Sequence, residues 1–520
     1  MTGAATGAVT GADIEAATEA ATEAASGAAD RVLHTTTSLC RTCKEAVPAT
    51  VVALASGEVW MRKACVEHGA QEVRLSTSAA WYERTRAERQ DRVAPRITHK
   101  PVELGCPFDC GPCASHGQKV RLPVVTITSA CNLDCPICYV HNKNDDAFHM
   151  PVEDFALILE HLRTDHGGEL DIVNLTGGEP TMHPRLFEML AMARAAGIHR
   201  VTVCSNGIRL AKDEAYVIRL GELGARIALS FDTFDPHADK LLQGANMLAT
   251  KLRCLELCEK HGVDVTLIPV MTRGVNEHEV GKILEVALAR PNIRHVEVHT
   301  MTFTGQSGAT FQRSGRISMF EVLEEIELRT GGLLRPSDFV TSPCAHPLCY
   351  QIAYLLLDPA GGPPIPFTRF MPAAELRAAL SDRLYLEPSA RLEDSLTAAI
   401  DRLWLISDED PDAARALRLL RAMLDAMFPA DRPLSREDAL RAGERAVKAV
   451  YIHSHMDEET FDTERAVDCC DSNCYADGRT IPVCNYNVLY REKEQQFTVT
   501  PAAWGTRTGG QRTFNLPVLR

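Results

Sequence analysis

The stretch LPVVTITSACNLDCPICYVHN, residues 122–142, decides how this chain folds and where its chemistry lies. Its first seven residues form a continuous β-rich apolar run, which is typical of a strand buried in a parallel sheet. A loop with Cys131, Cys135 and Cys138 follows directly. Three thiols in a C-x3-C-x2-C array suit three of the four irons of a [4Fe–4S] cluster and leave the fourth iron open. A zinc knot or a coincidental trio is the alternative, which the position of the array after a strand disfavours.

The chain after this stretch alternates between strands and helices up to about residue 305. Five further strand patterns, each followed or preceded by a helical pattern, are ELDIVNLTGGEP, HRVTVCSNG, ARIALSFDTFD, DVTLIPVMTRG and IRHVEVHTMTF. About six β/α units favour a parallel sheet, either open or closed into a full or partial barrel. Beyond residue 305 the pattern changes to helices at about 318–330, 373–382 and 392–449.

Polar motifs end several of these strands. The turn TGGEP contributes Gly177, Gly178, Glu179 and Pro180. Its glycines let the chain approach a ligand closely, and its carboxylate supplies an acceptor for an ammonium group. The next strands end in Ser205 and Asn206 and then in Ser230 and Asp232, which we expect to face the same site. Serine, asparagine and aspartate are also common in loops, and this is the competing reading.

The number of cysteines and the net charge reduce the number of function classes that this chain could belong to. The 520 residues include 18 cysteines and carry a net charge of −14. An acidic balance disfavours a nucleic-acid partner, and a zinc-rich nucleic-acid binder is the weakest reading. We expect no secretory signal, no transmembrane segment and a cytoplasmic location. In such a chain, clustered cysteines indicate metal binding rather than disulfides.

Two groups of cysteines lie outside the opening array. Cys40 and Cys43 pair with Cys65 and His68 across a loop of about twenty residues, a Cys3His set that suits Zn²⁺ or a single Fe ion. A reduced thiol pair with an unrelated Cys–His is the alternative. Nine other thiols suffice for two further [4Fe–4S] clusters, which need four ligands each, and leave one thiol over. We expect the extra thiol to be Cys469 or Cys470, because two adjacent cysteines cannot both readily bind one cluster. These nine are Cys106, Cys110, Cys113, Cys344, Cys349, Cys469, Cys470, Cys474 and Cys484.

The cysteine array with an aromatic residue after its third thiol, followed by GGEP, resembles the radical S-adenosylmethionine (SAM) superfamily. The order of the other motifs is similar to the group that contains archaeal tetraether lipid synthase, the tetraether ring synthases and a 6-hydroxymethyldihydropterin methyltransferase. The resemblance implies that SAM binds the open iron and is cleaved to a 5′-deoxyadenosyl radical. It further implies that the GGEP turn, Ser205, Asn206, Ser230 and Asp232 contact SAM.

The fold class that we predict is α/β, a partial (βα)6 TIM-like radical SAM barrel with a rubredoxin-like N-terminal knuckle and an α-rich, cluster-binding C-terminal region. The predicted domains are a disordered tail (1–34), the metal knuckle (35–90), a Cys-rich linker that contributes to an auxiliary cluster (91–120), the barrel (121–310) and the C-terminal auxiliary region (311–520). The expected cofactors are three [4Fe–4S] clusters, SAM, and Zn or Fe in the knuckle.

Three functions compete. The first is functionalisation of an unactivated C–H with C–C bond formation on a lipid chain, for which residues 350–357 and 392–428 could line an apolar groove. These apolar residues could equally form core. The second is a radical SAM methyltransferase that acts on a pterin-like small molecule. The third is an iron–sulfur electron-transfer scaffold. The open iron argues against the third, because a pure electron carrier has no need of one.

The expected partners are a small-molecule or lipid substrate and an external electron donor of ferredoxin or flavodoxin type. Peripheral contact with a membrane is a further possible interaction. As an alternative to cluster binding, the adjacent Cys469 and Cys470 could bind a soft metalloid or a thiophilic substrate. No catalytic acid or base is assigned among the available histidines, which are His116, His183, His299, His346, His453 and His455.

Overall fold

The computed structural model describes residues 30–98, 100–140, 147–168 and 170–491, with the backbone of two short strands at 506–508 and 511–513. Most of the predicted disordered tail lies outside the described residues. A strand already begins at Arg31, so ordered structure starts before the predicted domain boundary at residue 35. Within the described ranges, no helix combines the length and the apolar character needed to cross a membrane.

The N-terminal segment folds into a four-stranded antiparallel sheet in which neighbours in sequence are neighbours in space. Side chains of its third strand alternate between buried and half-buried positions, as expected for a sheet with one face on the core. The strands are β1 (Arg31–Leu39), β2 (Ala46–Ala53), β3 (Val59–Cys65) and β4 (Gly69–Ser76), and helix α1 (Ala79–Ala87) follows them.

A second, larger sheet holds the βα repeats. The parallel strands are β5 (Leu122–Thr128), β6 (Ile172–Gly177), β7 (Arg200–Ser205), β8 (Arg226–Ser230), β9 (Val265–Ile268), β11 (Ile293–Thr300) and β15 (Val447–His453). The first six lie side by side in chain order, which confirms the predicted parallel β/α arrangement. The remaining strands are β10 (Val270–Met271), β12 (Val340–Thr341), β13 (Tyr350–Leu356), β14 (Ile365–Pro366), β16 (Asp471–Cys474) and β17 (Thr480–Pro482).

The C-terminal region contributes strands to both ends of this sheet rather than folding apart from it. Strand β15 pairs in parallel with β11, β13 pairs antiparallel with β15, and β16 pairs in parallel with β5. Across the gap between the two ends, the Tyr350 hydroxyl donates a hydrogen bond to Asp471. The sheet therefore curves until its ends meet through side chains.

Helices cover the outer face of the barrel. They are α2 (Val152–Asp165), α3 (Leu186–Ala195), α4 (Ile208–Lys212), α5 (Glu214–Glu222), α6 (Pro236–Gln243), α7 (Leu248–Lys260), α8 (Val280–Ala289), α9 (Gly305–Thr310) and α10 (Met319–Arg329). Three of the nine begin with a side-chain cap, from Asp213, Asp235 and Ser318. Ser318 accepts a hydrogen bond from the Glu321 amide, and the Glu321 carboxylate accepts one from the Ser318 amide.

A second apolar core lies on the other side of β13 and β15. Helices α11 (Ala373–Leu380), α12 (Ala390–Ile406), α13 (Pro411–Met427) and α14 (Arg436–Ala446) build it. Their buried faces include Leu392, Leu396 and Leu420, which pack with Ile352 and Tyr354 of β13. Two shorter helices follow nearer the C-terminus, α15 (Thr463–Val467) and α16 (Val483–Asn485).

A buried ion-pair cluster ties the barrel to this second core. The Arg200 guanidinium, 3% exposed, donates to Asp171 at 2.7 Å and to Glu387 at 2.5 Å. Glu387 also accepts from Arg436 at 2.5 Å. Buried charges of this kind are stable only while all partners are present, because each unpaired charge carries a large desolvation penalty.

We therefore expect Arg200→Met to lower the free energy of unfolding by about 3 kcal/mol, since it removes the buried partner that Asp171 and Glu387 share and leaves them only the half-exposed Arg436 and the more distant Arg383. The control is Arg219→Met, which removes an exposed pair with Glu222 and should cost about 0.3–0.5 kcal/mol. Guanidinium unfolding followed by circular dichroism under anaerobic conditions measures both. Equal losses in the two variants would contradict the role assigned to the buried cluster.

Candidate active site

The three cysteines of the opening array lie on one loop beyond β5, at the carboxyl end of the parallel strands. Neighbouring segments hold this loop in place: the Ile137 amide donates to Leu242 O at 3.0 Å, and the Ser307 amide donates to Cys138 O at 2.9 Å. Cys131, Cys135 and Cys138 all line a cavity of about 240 Å³. Three thiols from one loop on one cavity are the donor set that a [4Fe–4S] cluster with an open iron requires.

The glycines of TGGEP serve a contact that the sequence does not suggest. A Cβ on Gly177, whose φ is +143°, would lie 2.0 Å from Thr128 O, and one on Gly178 would lie 2.2 Å from Ala130 O. The backbones are hydrogen-bonded there, Gly178 N to Thr128 O at 2.8 Å and Glu179 N to Ala130 O at 2.7 Å. The glycines therefore allow close approach to the cysteine loop, and because both also line the cavity, their close approach to a ligand stays a prediction.

Glu179 is 1% exposed and lines the same cavity. Its Oε1 accepts hydrogen bonds from the Thr181 amide, the Thr181 hydroxyl and the Ser205 hydroxyl, and its Oε2 accepts from the Asn206 amide at 2.7 Å. Burial raises the pKa of Glu179, and these hydrogen bonds oppose that rise. A carboxylate offers about four acceptor sites, so Oε2 keeps capacity for one more donor from the cavity.

The other predicted SAM contacts also line this cavity, except Pro180, which the structure places outside its wall. Ser205 and Asn206 hold Glu179, and Asn206 additionally donates to the Asn132 side chain at 2.7 Å. Asp232 accepts from the Val270 amide at 2.8 Å and from the Gln243 side chain. Their assignment to SAM stays a prediction. The structure shows that they share one wall with Glu179.

The sequence reading missed Lys251 of α7. This side chain is 2% exposed, and its ammonium lies 4.0 Å from Asp232 Oδ2 without a hydrogen-bond partner among the described residues. A buried, incompletely paired ammonium is costly and suits a negatively charged ligand. A lysine at a buried position of the helix, three residues before Cys254, was the available signal.

A second polar group lines another part of the cavity wall, on strands β11 and β15. Glu297 Oε1 lies 3.1 Å from His299 Nε2 and 3.3 Å from His453 Nδ1, and His455 follows two residues later. Burial would raise the pKa of Glu297, but the hydrogen bonds with His299 and His453 outweigh it and lower the pKa. Asp471 lies nearby, with Oδ2 3.7 Å from His453 Nε2.

The sequence reading did not assign a role to these side chains. Strand β11 reads IRHVEVHT, with Glu297 and His299 two residues apart and therefore on the same face. Polar residues at the carboxyl end of a buried parallel strand were a usable signal. Only the tertiary structure shows that β15, more than 140 residues later in the chain, adds His453 beside them.

Seven of the nine thiols predicted to hold auxiliary clusters line two smaller cavities. Cys106, Cys110 and Cys113 line one, and Cys349, Cys469, Cys470 and Cys484 line the other. Cys344 Sγ lies 3.7 Å from Cys470 Sγ. Cys344 and Cys474 line neither cavity, and the expectation that the spare thiol is one of the vicinal pair stays a prediction. The number of auxiliary clusters and their ligands stay predictions.

The N-terminal sheet brings its four predicted ligands together. The ligand atoms of Cys40, Cys43, Cys65 and His68 all lie within 4.8 Å of one another. The turn after β1 supplies two thiols and the turn after β3 supplies the other two ligands. The cysteines are free thiols, and Gln71 donates a hydrogen bond to Cys40 Sγ at 3.1 Å. Three thiols and one imidazole at this spacing fit a tetrahedral Zn²⁺ site.

Comparisons with known proteins agree with both sites. Residues 125–287 match the model of the radical SAM superfamily, and residues 32–77 match that of the HMPTM N-terminal zinc ribbon domain. The chain is 28% identical over 502 residues to 7,8-dihydro-6-hydroxymethylpterin dimethyltransferase of Methanocaldococcus jannaschii, covering 90% of this chain and 96% of that protein. It is 31% identical to GTP 3′,8-cyclase of Tolumonas auensis, over 36% of this chain and 55% of that protein.

Among solved structures, methylornithine synthase matches 41% of this chain and 64% of its own at 18% identity, with a TM-score of 0.32. The sequence matches show that the chain carries a radical SAM domain behind a zinc ribbon and that it is a radical SAM enzyme. Its cofactors therefore include SAM and a [4Fe–4S] cluster. The three thiols, the open acceptor on Glu179 and the buried ammonium of Lys251 fit that pair.

Gly178→Ala should release the cysteine loop, because the added Cβ would lie 2.2 Å from Ala130 O. We expect the reconstituted protein to lose the irons of this cluster, about four per chain. SAM cleavage should fall at least about 100-fold, the cost of a misplacement of about 1 Å. Iron, zinc and 5′-deoxyadenosine are measured on one sample.

The matched control is Gly315→Ala, whose Cβ would meet only the Thr272 methyl at 3.3 Å. This variant should keep its iron and its activity. A Gly178→Ala protein with full iron content and wild-type cleavage would show that the contact between turn and loop does not position the cluster.

Proposed function

We propose that this radical SAM enzyme methylates a carbon of a pterin-like heterocycle. The observation that carries the proposal is the polar group of Glu297, His299 and His453 on the wall of the cavity that also holds the three thiols. Hydrogen-bonding side chains at a fixed spacing recognise a planar heterocycle with ring nitrogens and an oxo group, whereas an alkyl chain leaves them unpaired. The name of the relative from Methanocaldococcus jannaschii supports the same class of substrate.

When bound, SAM and its cluster supply a 5′-deoxyadenosyl radical, which removes a hydrogen atom from an unactivated carbon. The residues of this chain bind SAM and orient it in the cavity. Glu179 Oε2 would accept a hydrogen bond from the ammonium of SAM, and the buried Lys251 ammonium, 4.0 Å from Asp232, would contribute positive charge to the site. Ser205 and Asn206 hold Glu179 in place through the hydrogen bonds described above.

The walls of the cavity keep these groups away from water. Glu179 and Asp232 are each 1% exposed, and His453 is 6% exposed. Exclusion of water strengthens each of these electrostatic contacts and protects a reactive radical from side reactions. The reducing electron comes from an external donor of ferredoxin or flavodoxin type, which stays a prediction from the resemblance.

The structure gives little support to a lipid substrate. Residues 350–356 form a strand whose side chains are all buried, and of these only Tyr350 reaches the cavity. The helices across 392–428 pack their apolar faces into the second core, away from the three thiols. In the part of the chain that the structure describes, most of the residues expected to line an apolar groove are therefore core residues, and Trp404, Leu405 and Ile406 at the end of α12 are exposed.

The test is an anaerobic reaction of the reconstituted full chain with dithionite, SAM and 7,8-dihydro-6-hydroxymethylpterin. We expect 5′-deoxyadenosine and a pterin product whose mass has increased by one or two methylene units. SAM with a deuterated methyl group shows whether SAM also donates the methyl. Substrate-stimulated cleavage with a lipid, and none with pterins, would overturn the proposal.

Glu297→Gln should reduce pterin methylation by about tenfold or more, because a charge-assisted hydrogen bond contributes about 1.5–3 kcal/mol. SAM cleavage without pterin should change little, since Glu297 lies on β11 and the thiols and Glu179 lie on the loops after β5 and β6. The matched control is Glu285→Gln on α8. An equal loss of uncoupled cleavage in Glu297→Gln would place this residue in the SAM site instead.

Replacing Cys131, Cys135 and Cys138 together by Ala should abolish SAM cleavage and remove one cluster, about four irons. The remaining iron counts the auxiliary clusters: about eight irons would mean two cubes, and no iron would mean none. Retained cleavage would exclude this loop as the SAM site. Full cluster loading of the wild-type protein without any cleavage would favour an electron-transfer scaffold.

A further inference from the structure

We propose that His299, His453 and His455 hold a divalent transition-metal ion in the wall of the active-site cavity. This site is separate from the N-terminal knuckle, and it borders the thiols predicted to hold an auxiliary cluster, because His455 Nδ1 lies 3.7 Å from Cys484 Sγ. The potential ligand atoms of the three imidazoles lie within 4.8 Å of one another. All three residues line the cavity that also contains the cysteine loop.

The fold places the three rings together through strand register. His299 on β11 and His453 on β15 are direct cross-strand partners in the parallel pair. His455 lies two residues beyond His453, and an interval of two returns a side chain to the same face of an extended chain. The ring centroids are 5.2 Å apart for His299–His453, 5.2 Å for His299–His455 and 3.9 Å for His453–His455.

The surroundings of the rings are those of a metal site. Glu297 Oε1 contacts one nitrogen of His299 and one nitrogen of His453, at 3.1 and 3.3 Å. A carboxylate on one ring nitrogen orients the imidazole and leaves its other nitrogen for the metal, which is the usual arrangement around metal-bound histidines. Two further ligand-type atoms lie beside the rings: Asp471 Oδ2 is 3.7 Å from His453 Nε2, and Cys484 Sγ is 3.7 Å from His455 Nδ1.

The residues determine which ions suit the site. Imidazole ligands suit Zn²⁺, Fe²⁺, Ni²⁺ and Cu²⁺, and of these Zn²⁺ has no redox chemistry that would interfere with a radical reaction. A site with three protein ligands keeps a further position open, here towards the cavity. On the proposed function, this position would bind an oxygen or ring nitrogen of the heterocycle, and the ion would orient and polarise the substrate. That role rests on the proposed function, whereas binding of the ion does not.

The first experiment uses the anaerobic wild-type holoenzyme loaded with Zn²⁺. Zinc X-ray absorption separates the two sites, because the knuckle has three sulfur ligands and the histidine site has none. We expect more than one zinc per chain and an average sulfur coordination well below three. One zinc per chain with an average near three sulfurs would overturn the proposal.

The second experiment compares the double variant His299→Ala/His453→Ala with the control His199→Ala. His199 lies at the surface, where it pairs with Glu437. The double variant should lose one equivalent of zinc and retain its cluster iron and sulfide, while the control keeps all three. An unchanged zinc content in a double variant that keeps its full iron content would overturn the proposal. If the double variant loses its iron, its fold is disturbed, and the X-ray absorption of the wild-type protein then decides.

The two proposals fail in distinguishable ways. Loss of zinc in the double variant establishes the site whether or not any pterin reacts. Absence of a methylated pterin with the second zinc present would overturn the proposed substrate and leave the metal site standing.

Discussion

Two backbone hydrogen bonds, from Gly178 N to Thr128 O and from Glu179 N to Ala130 O, are the constraint on which the site depends. They join the turn after β6 to the start of the cysteine loop after β5. With a side chain at either glycine, the two segments would have to separate. This contact sets the position of the thiols relative to the Glu179 carboxylate, and Ser205 and Asn206 then hold that carboxylate from the next strand. Three consecutive strands thus act as one rigid unit around the cavity.

The cavity concentrates charged groups that a protein interior normally avoids. Glu179, Asp232, Lys251 and Glu297 are all wholly or largely buried within or beside it. Each carboxylate is compensated by hydrogen bonds from the protein, whereas the Lys251 ammonium is not. A folded protein tolerates an incompletely paired charge where a ligand supplies the missing partner. Lys251 does not itself line the cavity, and its ammonium lies 4.0 Å from Asp232 Oδ2, which does.

The last third of the chain builds the other side of the same cavity. Strand β15 extends the barrel sheet past β11, and β16 adds to its opposite edge beside β5. Tyr350 and Asp471 connect the two edges, and Tyr139, next to the third cysteine, stacks on His455 with ring centroids 6.2 Å apart. The wall with Glu297, His299 and His453 therefore comes from segments remote in sequence, while the wall with the three thiols and Glu179 comes from contiguous βα units.

The sequence by itself determined the elements whose signals are local. The C-x3-C-x2-C array, the GGEP turn and the Cys3His spacing are each read within a few residues, because metal and ligand chemistry restricts both residue type and interval. The six parallel β/α units were likewise predictable from apolar periodicity. The tertiary structure decided what depends on contacts between distant segments: the contact of the two glycines with the cysteine loop, the burial of Lys251, the division of seven auxiliary thiols between two cavities, and the meeting of Glu297 and His299 with His453. A single sequence carries no signal for these pairings, since they arise from strand register and sheet curvature rather than from any local pattern.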